Sequence, residues 1–182
     1  MPRPINPAVE ERILQAARKL WHKGGESALH MRDVAKAAGT NTPAVYRRFR
    51  NRDEILSALV SYYQQEVLKV LRRCHSIEEL VEAYIDYVVE HPREYVLMHS
   101  GVLGRFSKGR PNIEFVIAKS SEWLGGKPGE HTPLVLALWA LSHGTAMLRV
   151  SGGVRDEDFP KMRAAFTAAV GILVSNEKKL RS

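Results

Sequence analysis

The sequence has only one cysteine among its 182 residues, Cys74, so it cannot form an internal disulfide. A single thiol is typical of a protein of the reducing cytosol. The first residues, MPRPINPAVEERIL, carry no apolar run behind their charges, so we expect neither a secretory signal nor a transit peptide. The longest apolar stretch, PLVLALWALSHGTAMLRV, is interrupted by His143 and Gly144, and we expect it to be too short and too polar to cross a bilayer. The sequence therefore predicts a cytoplasmic protein without a membrane partner.

The sequence also lacks the residue spacings that catalytic, nucleotide and metal sites need. No i, i+4 histidine pair with a neighbouring acid occurs among His75, His91, His99, His131 and His143. The run Gly125-Gly126-Lys127-Pro128 has neither the P-loop spacing nor a Ser or Thr after its lysine. Neither Ser100-Gly101 nor Ser142-His143 forms a nucleophile elbow. We therefore expect no catalytic site, no metal and no cofactor.

Positive charge is concentrated in the first third of the chain. Lys and Arg outnumber Asp and Glu by 27 to 20, which gives a formal net charge of +7 and a pI near 9.7. Residues 1–60 hold eleven basic and six acidic residues, whereas residues 61–182 hold sixteen and fourteen. This asymmetry predicts that the N-terminal part meets a polyanion and that the remainder has another task.

No segment alternates apolar and polar residues for long enough to indicate a strand. Helix starts are marked by Asn6-Pro7, by Asn51 three residues before Glu54, and by Ser76 three residues before Glu79. The sequence thus predicts an all-α fold. We expect helices from Pro7 to Lys23-Gly24, Met31 to Ala38, Thr42 to Phe49, Arg52 to about Arg73, one after Ser76, and others at about 92–103, 111–124, 132–150 and 156–176.

Residues 31–49 have the spacing of a helix-turn-helix motif. Ala35 falls at the closest approach of two short helices, and Gly39 at a turn where a positive φ is expected. Val45, six residues later, is expected to enter a core shared with Val34, Ala38 and Phe49. A basic amphipathic helix without this role is the alternative, and the three matched offsets argue against it.

The second helix of this motif has the residues expected of a DNA-reading element. Asn41 is the expected N-cap, and Thr42, Pro43 and Ala44 form a first turn small enough to lie against base edges. Basic and aromatic side chains follow within the reach of phosphates, and these are Tyr46, Arg47, Arg48 and Arg52, together with Arg32 on the preceding helix.

These residues give residues 9–60 a resemblance to the TetR family of bacterial transcriptional regulators. The matching segments are Ile13–Ala17 with Leu20, Met31–Gly39, Val45–Phe49 and Arg52–Leu56. In that family the tyrosine at position 46 and the basic residue at position 52 commonly touch phosphates. The sequence departs from the usual pattern at His30, Thr40 and Asn41, which puts the base contacts of Thr42 and Pro43 in doubt.

The resemblance implies two domains: a helix-turn-helix DNA-binding domain over residues 1–52, and a helical ligand-binding and dimerisation domain over residues 53–182. It further implies a homodimer, a double-stranded DNA operator and a small-molecule effector. Trp139-Ala140-Leu141-Ser142-His143-Gly144 resembles the Trp-x-x-x-His-Gly signature of one TetR subgroup. It is short and therefore only moderately specific.

The last two helices are expected to form the dimer interface. Residues 133–150 are apolar nearly all round, so the helix must be buried on more than one side. The final helix carries an apolar stripe, and pairing both helices with their symmetry mates would make a four-helix interface. The stripe comprises Phe159, Met162, Phe166, Ala169, Val170 and Leu173, with Ala165 and Ala168 allowing close approach.

An effector pocket is expected among aromatic and polarizable side chains of the middle helices. The candidates are Tyr63, Tyr84, Tyr87, Met98, Phe106, Phe115, Trp123, Trp139 and His143, with His99. For any one of them an ordinary core position is the favoured alternative, and for His143, followed by Gly144, this alternative is a satisfied core histidine beside a close helix crossing. A further alternative for the whole protein is a small helical enzyme or ligand carrier whose basic helix pair binds polyanions non-specifically.

Overall fold

The computed structural model describes residues 7–99 and 111–181, and these residues form nine α-helices and two short 3₁₀ helices, without a strand. The α-helices are α1 Pro7–Gly24, α2 Met31–Ala37, α3 Thr42–Tyr46, α4 Arg52–Leu71, α5 Ile77–Glu90, α6 Pro92–His99, α7 Pro111–Leu124, α8 Thr132–Val150 and α9 Phe159–Ser175. The 3₁₀ helices span Gly25–Ala28 and Glu177–Leu180. The predicted all-α fold is confirmed.

Side-chain caps explain why several helices begin where the sequence predicts. The Glu54 N–H donates to Asn51 Oδ1 over 2.9 Å, and the Glu79 N–H donates to Ser76 Oγ over 3.1 Å. Each glutamate also accepts from a backbone N–H four residues earlier, Glu54 from Arg50 and Glu79 from His75. These caps satisfy backbone donors that have no partner inside the helix, and they fix the starts of α4 and α5.

The chain divides into two compact units, with the divisions falling after Tyr63 and after Val96. Among the described residues, the first unit contains 7–63 and 97–99, and the second contains 64–96 and 111–181. The domain boundary inferred from the sequence, between residues 52 and 53, stays a prediction.

In the first unit, α2 packs against both α1 and α3. Its core is apolar and almost fully buried, because each of these short helices turns one stripe inward. The buried side chains include Ile13, Ala17, Leu29, Val34, Ala35, Ala38, Val45 and Phe49. The predicted shared core of the helix pair is therefore present.

In the second unit, α8 packs against α5, α7 and α9, and α5 also packs against α9. The helix expected at about 132–150 is confirmed, because α8 runs without a break over 19 residues. The expectation that this stretch is too short and too polar to cross a bilayer is wrong by length and composition. Within the described ranges, α8 is the one helix long and apolar enough to cross a membrane, although a core helix meets the same test. The absence of a membrane partner stays a prediction.

Candidate nucleic-acid interface

The turn between α2 and α3 depends on Gly39. Its φ is +62°, in the left-handed region that only glycine adopts at low cost. The Gly39 N–H donates to the Lys36 carbonyl and the Thr40 N–H to the Ala35 carbonyl, over 3.2 and 3.0 Å. These are the two bonds of a Schellman motif, which ends α2 and turns the chain into α3. The expected positive φ at Gly39 is thus confirmed.

The start of α3 is exposed and capped. Asn41 Oδ1 accepts from the Ala44 N–H over 2.9 Å, so the predicted N-cap is confirmed. Asn41 and Pro43 are exposed and Thr42 is half-buried. The helix therefore presents small polar and apolar groups at its first turn.

Ala44 differs from the other residues of this turn. It is only 9% exposed, and the adjacent Val45 is completely buried. Because α3 has only five residues, one stripe of it must serve the core, and Ala44 lies on that stripe. The base-edge contact expected of Ala44 is not supported by this packing.

The basic side chains around α3 fall into two groups. Arg32, Lys36 and Arg47 are exposed, and within residues 7–99 and 111–181 no ion pair involves them. Tyr46 is 52% exposed. Lys36 was not among the expected contacts, although its position one helical turn after Arg32 is readable from the sequence.

The second group of basic side chains is paired with carboxylates. Arg48 Nε lies 4.0 Å from Glu10 Oε2, and the Arg48 side chain is only 12% exposed. Its packing against α1 does not support the phosphate contact expected of it. Arg52 Nη2 lies 2.8 Å from Glu26 Oε1, with the two side chains 42% and 57% exposed. Arg52 is thus accessible, but it already has an anionic partner.

In the second unit, a polar aromatic cluster forms around Tyr95, which the sequence reasoning missed. Tyr95 is completely buried, and its hydroxyl oxygen lies 2.7 Å from His143 Nδ1. The ring centroids of Tyr84 and Tyr95 are 6.5 Å apart, and those of Trp139 and His143 are 6.0 Å apart. Tyr95 thus joins three predicted pocket residues. The sequence could have indicated Tyr95 as a pocket residue, because it lies on α6 three residues before Met98, which was itself a predicted pocket residue.

The tyrosines of this cluster remain neutral over a wide pH range. Burial raises the pKa of Tyr84, and the neighbouring Tyr95 and Tyr87 hydroxyls raise it further. Burial also raises the pKa of Tyr95. The cluster therefore offers uncharged aromatic and hydroxyl groups rather than anions.

Among the other predicted pocket residues, Tyr87 borders this cluster, because its hydroxyl acts on Tyr84. The ring centroids of Tyr87 and His91 are 4.5 Å apart, and Lys119 Nζ lies 6.0 Å from the ring centroid of Trp123. Phe115 is half-buried on α7. Tyr63 and Met98 are buried in the first unit, where Tyr63 contacts Tyr62 edge-on, and Phe106 lies outside the described residues.

The described part of the chain contains no group of three His, Cys, Asp or Glu residues that could hold a metal ion.

The residues of the apolar stripe that is expected on α9 for the dimer differ in exposure. Phe166 and Val170 are buried within the subunit, whereas Ala165 and Ala168 are exposed. Ile172, which was not part of the expected stripe, is 64% exposed. On α8, exposed apolar side chains include Leu136, Met147 and Leu148.

Solved structures of other regulators share this fold. A variant of TetR from Acinetobacter baumannii AYE in complex with minocycline is 19% identical, with 93% of this chain and 96% of that chain covered and a TM-score of 0.66. A TetR from Streptomyces coelicolor is 18% identical, with 98% and 100% covered and a TM-score of 0.65. Salmonella enterica GusR is 16% identical, with 93% and 98% covered and a TM-score of 0.59. At these identities the likeness shows the fold alone.

Family models match both units. The model of bacterial regulatory proteins of the tetR family matches residues 13–59, which include α2, α3 and the turn at Gly39. The model of the tetracyclin repressor-like C-terminal domain matches residues 77–173, more than half of the chain. No curated protein matches this chain. The two matched segments and the shared fold place the chain in the TetR family of bacterial transcriptional regulators.

Proposed function

We propose that this protein is a cytoplasmic repressor that binds a palindromic DNA operator as a homodimer and is released by a small molecule. The observation that carries the proposal is the geometry around α3. The Schellman turn at Gly39 and the Asn41 cap hold a partly exposed first turn, and exposed cations precede it on α2 and follow it at the end of α3. The DNA-binding domain is proposed to comprise residues 1–52.

The residues of this surface have two proposed roles. Asn41, Thr42 and Pro43 read base edges in the major groove, and Ala44 is left out because it is buried. Arg32, Tyr46, Arg47 and Arg52 contact phosphates, which fixes the register without reading sequence.

The homodimer is supported by the exposed apolar side chains of α8 and α9. Leu136, Met147, Leu148 and Ile172 would each leave water if these helices paired with their symmetry mates. Two subunits would then present two copies of α3 about 34 Å apart, which matches adjacent major-groove half-sites.

The effector is proposed to bind at the cluster of Tyr84, Tyr95, Trp139 and His143. The neutral phenols and aromatic rings favour an uncharged or aromatic ligand. The minocycline complex of a protein with this fold gives further support. Release requires that the ligand prefer the conformation that cannot bind the operator, because equal affinity for both forms would shift nothing.

Selection of bound sequences from random duplexes tests the proposal. We expect a palindromic consensus that the protein prefers over random duplex by roughly 10³-fold, with an affinity that falls steeply with salt. The Thr42→Ala or Pro43→Ala variant should change the preferred sequence, whereas Arg47→Gln should weaken all duplexes by a similar factor. Arg12→Gln, which removes the same charge from an exposed position on α1, is the control.

The alternative is a small helical enzyme or carrier that binds polyanions non-specifically. It predicts no consensus and a loss of all duplex binding with salt. If selection returns no sequence preference, or if Thr42 and Arg47 variants have the same effect, the proposed regulator role is wrong. Screening small molecules for release of the selected duplex then tests the effector site.

A further inference from the structure

Arg52 has an anionic partner before any DNA arrives. Its Nη2 lies 2.8 Å from Glu26 Oε1, and this pair joins the 3₁₀ helix Gly25–Ala28 to the first residue of α4. Both side chains are about half exposed, at 42% and 57%. An ion pair so exposed adds little to stability, because water solvates both charges well. The pair can therefore exchange partners with little effect on folding.

The pair differs from the other two carboxylate–arginine pairs near α3. Glu54 caps α4 through the backbone N–H of Arg50, so this carboxylate has a structural role. Arg48 beside Glu10 is nearly buried, and its contact is a long one at 4.0 Å. For Glu26, by contrast, the side-chain contact within residues 7–99 and 111–181 is its ion pair with the guanidinium proposed to touch phosphate.

We propose that Glu26 is an affinity-setting residue, which competes with DNA phosphate for Arg52 and so limits the affinity of the protein for every duplex. The inference rests on the proposed function, because it assumes that Arg52 contacts phosphate. When the guanidinium turns to a phosphate, the Glu26 carboxylate either stays close to a second anion or loses its cation. Both results make binding less favourable than binding by an arginine without a partner.

The salt dependence of binding should show this competition. An arginine that contacts phosphate displaces a condensed counterion, and this release gives log K its steep slope against log salt. In the wild type, the carboxylate freed from Arg52 gathers a cation of its own, which offsets part of the release. Removal of the Glu26 charge should therefore steepen the slope by up to about 0.9 for each DNA-binding head.

The test compares Glu26→Gln with Glu11→Gln on the selected operator and on a random duplex. Glu11 is exposed on α1 and loses the same charge, and its side chain accepts a hydrogen bond from Gln15 on the same helix. Relative to Glu11→Gln, we expect Glu26→Gln to tighten binding roughly two- to fivefold at each half-site, and by the square of that factor for a dimer. Both duplexes should gain equally, because phosphate contacts carry no sequence information.

A double-mutant cycle assigns the gain to Arg52. In the Arg52→Gln background, Glu26→Gln should tighten binding no more than Glu11→Gln does. Equal gains in both backgrounds would overturn the proposal, because Glu26 would then repel DNA without competing for Arg52. Weaker binding by Glu26→Gln would also overturn it and would show that Glu26 orients Arg52. Thermal midpoints of all variants confirm that the fold is kept.

The same measurements separate this inference from the proposed function. If the wild type shows no preference for any sequence, the operator role fails, yet the difference between Glu26→Gln and Glu11→Gln on random duplex still decides the competition. If the wild type prefers an operator and Arg52→Gln binds it as tightly as the wild type, the regulator role stands and the competition is wrong.

Discussion

Two pairs of side chains, one in each unit of this protein, differ in how far water reaches them. Among the described residues of the first unit, the closest ion pair, Arg52 with Glu26, is about half exposed. In the second unit His131 and Glu177 form a pair whose side chains are 0% and 7% exposed. Paired side chains that water solvates can exchange partners at little cost, whereas buried polar side chains must keep theirs. The first arrangement suits a surface that meets DNA, and the second fixes one segment of the chain to another.

The buried pair belongs to a larger network at the C-terminus. His131 Nδ1 lies 2.5 Å from Glu177 Oε1, and His131 Nε2 lies 2.6 Å from the Gly125 carbonyl oxygen. Arg181 is paired with both Glu177 and Glu130, and Glu130 accepts from the Lys127 N–H. The network thus ties the 3₁₀ helix Glu177–Leu180 to the segment between α7 and α8.

The largest expected effect on stability comes from a substitution that breaks this network. The His131→Ala variant would leave a cavity and remove one partner of the buried Glu177, so we expect a loss of about 3 kcal/mol in the free energy of unfolding. Urea unfolding at one fixed protein concentration measures it, since dimerisation would make the result concentration-dependent. His75→Ala, at an exposed position, should change stability by less than about 0.5 kcal/mol. Equal stabilities of the two variants would contradict the structural role of His131.

A smaller effect on stability, but a large one on DNA binding, is expected at Gly39. A Cβ there would meet no atom within 4 Å, so the cost of substitution is conformational rather than steric. The Gly39→Val variant should lose roughly 1–2 kcal/mol because its φ of +62° is strained for a β-branched residue. Operator binding measured by fluorescence anisotropy should fall sharply while the second unit stays folded.

Asparagine is the matched control at this position, because it tolerates the left-handed region better than other non-glycine residues. The Gly39→Asn variant should retain most of the operator affinity. If valine and asparagine weaken binding to the same extent, the backbone conformation of Gly39 is not what positions α3.

Loss of the α3 cap is expected to lower stability less than the substitutions of His131 and Gly39. The Asn41→Ala variant should lose about 1 kcal/mol, because the Ala44 N–H would lose its acceptor at the start of a five-residue helix. Asn41→Ser keeps a capping oxygen and should restore the stability of the first unit, as measured by hydrogen exchange of the α3 amides. Restored stability with a changed operator preference would indicate a base contact by Asn41. Slow exchange in Asn41→Ala would contradict the role of the cap.

Short-range rules explain which features of this protein were predictable from the sequence. Helix starts at Arg52 and Ile77 depend on caps within four residues, and the turn at Gly39 depends on two backbone bonds close in sequence. These signals lie within a single helical turn, so the sequence alone contains them. The starts of these helices and the core of the helix pair followed from them, whereas α3 ends at Tyr46 rather than at the expected Phe49, and α9 begins at Phe159 rather than near residue 156.

Long-range packing explains what could not be predicted. His131 pairs with Glu177 across 46 residues, and Tyr95 meets His143 across 48, so nothing local marks either contact. Ala44 and Arg48 were assigned to DNA from their neighbours in sequence, but packing against the rest of the first unit decides that both are largely buried. Charge and spacing identify a helix that can read DNA, whereas tertiary contacts decide which of its side chains are available.

The smallest expected effect is a change in stability at acid pH, and it compares the buried Glu177 of the second unit with the exposed Glu26 of the first. Hydrogen bonding to Arg181, followed by that to His131, lowers the pKa of Glu177 below its ordinary value of 4.5. A carboxyl whose pKa is lower in the folded state contributes stability above pH 4.5, and this stability is lost as the pH falls from 4.5 through the folded-state pKa.

The thermal midpoint of Glu177→Gln should therefore be lower than that of the wild type at pH 7 and fall less steeply below pH 4.5. Glu26→Gln, which removes an exposed partner instead, should follow the wild-type curve, since the pair in the first unit is largely solvated. Parallel acid limbs for the wild type and Glu177→Gln would mean that the carboxylate of Glu177 is no better stabilised in the folded chain than in water.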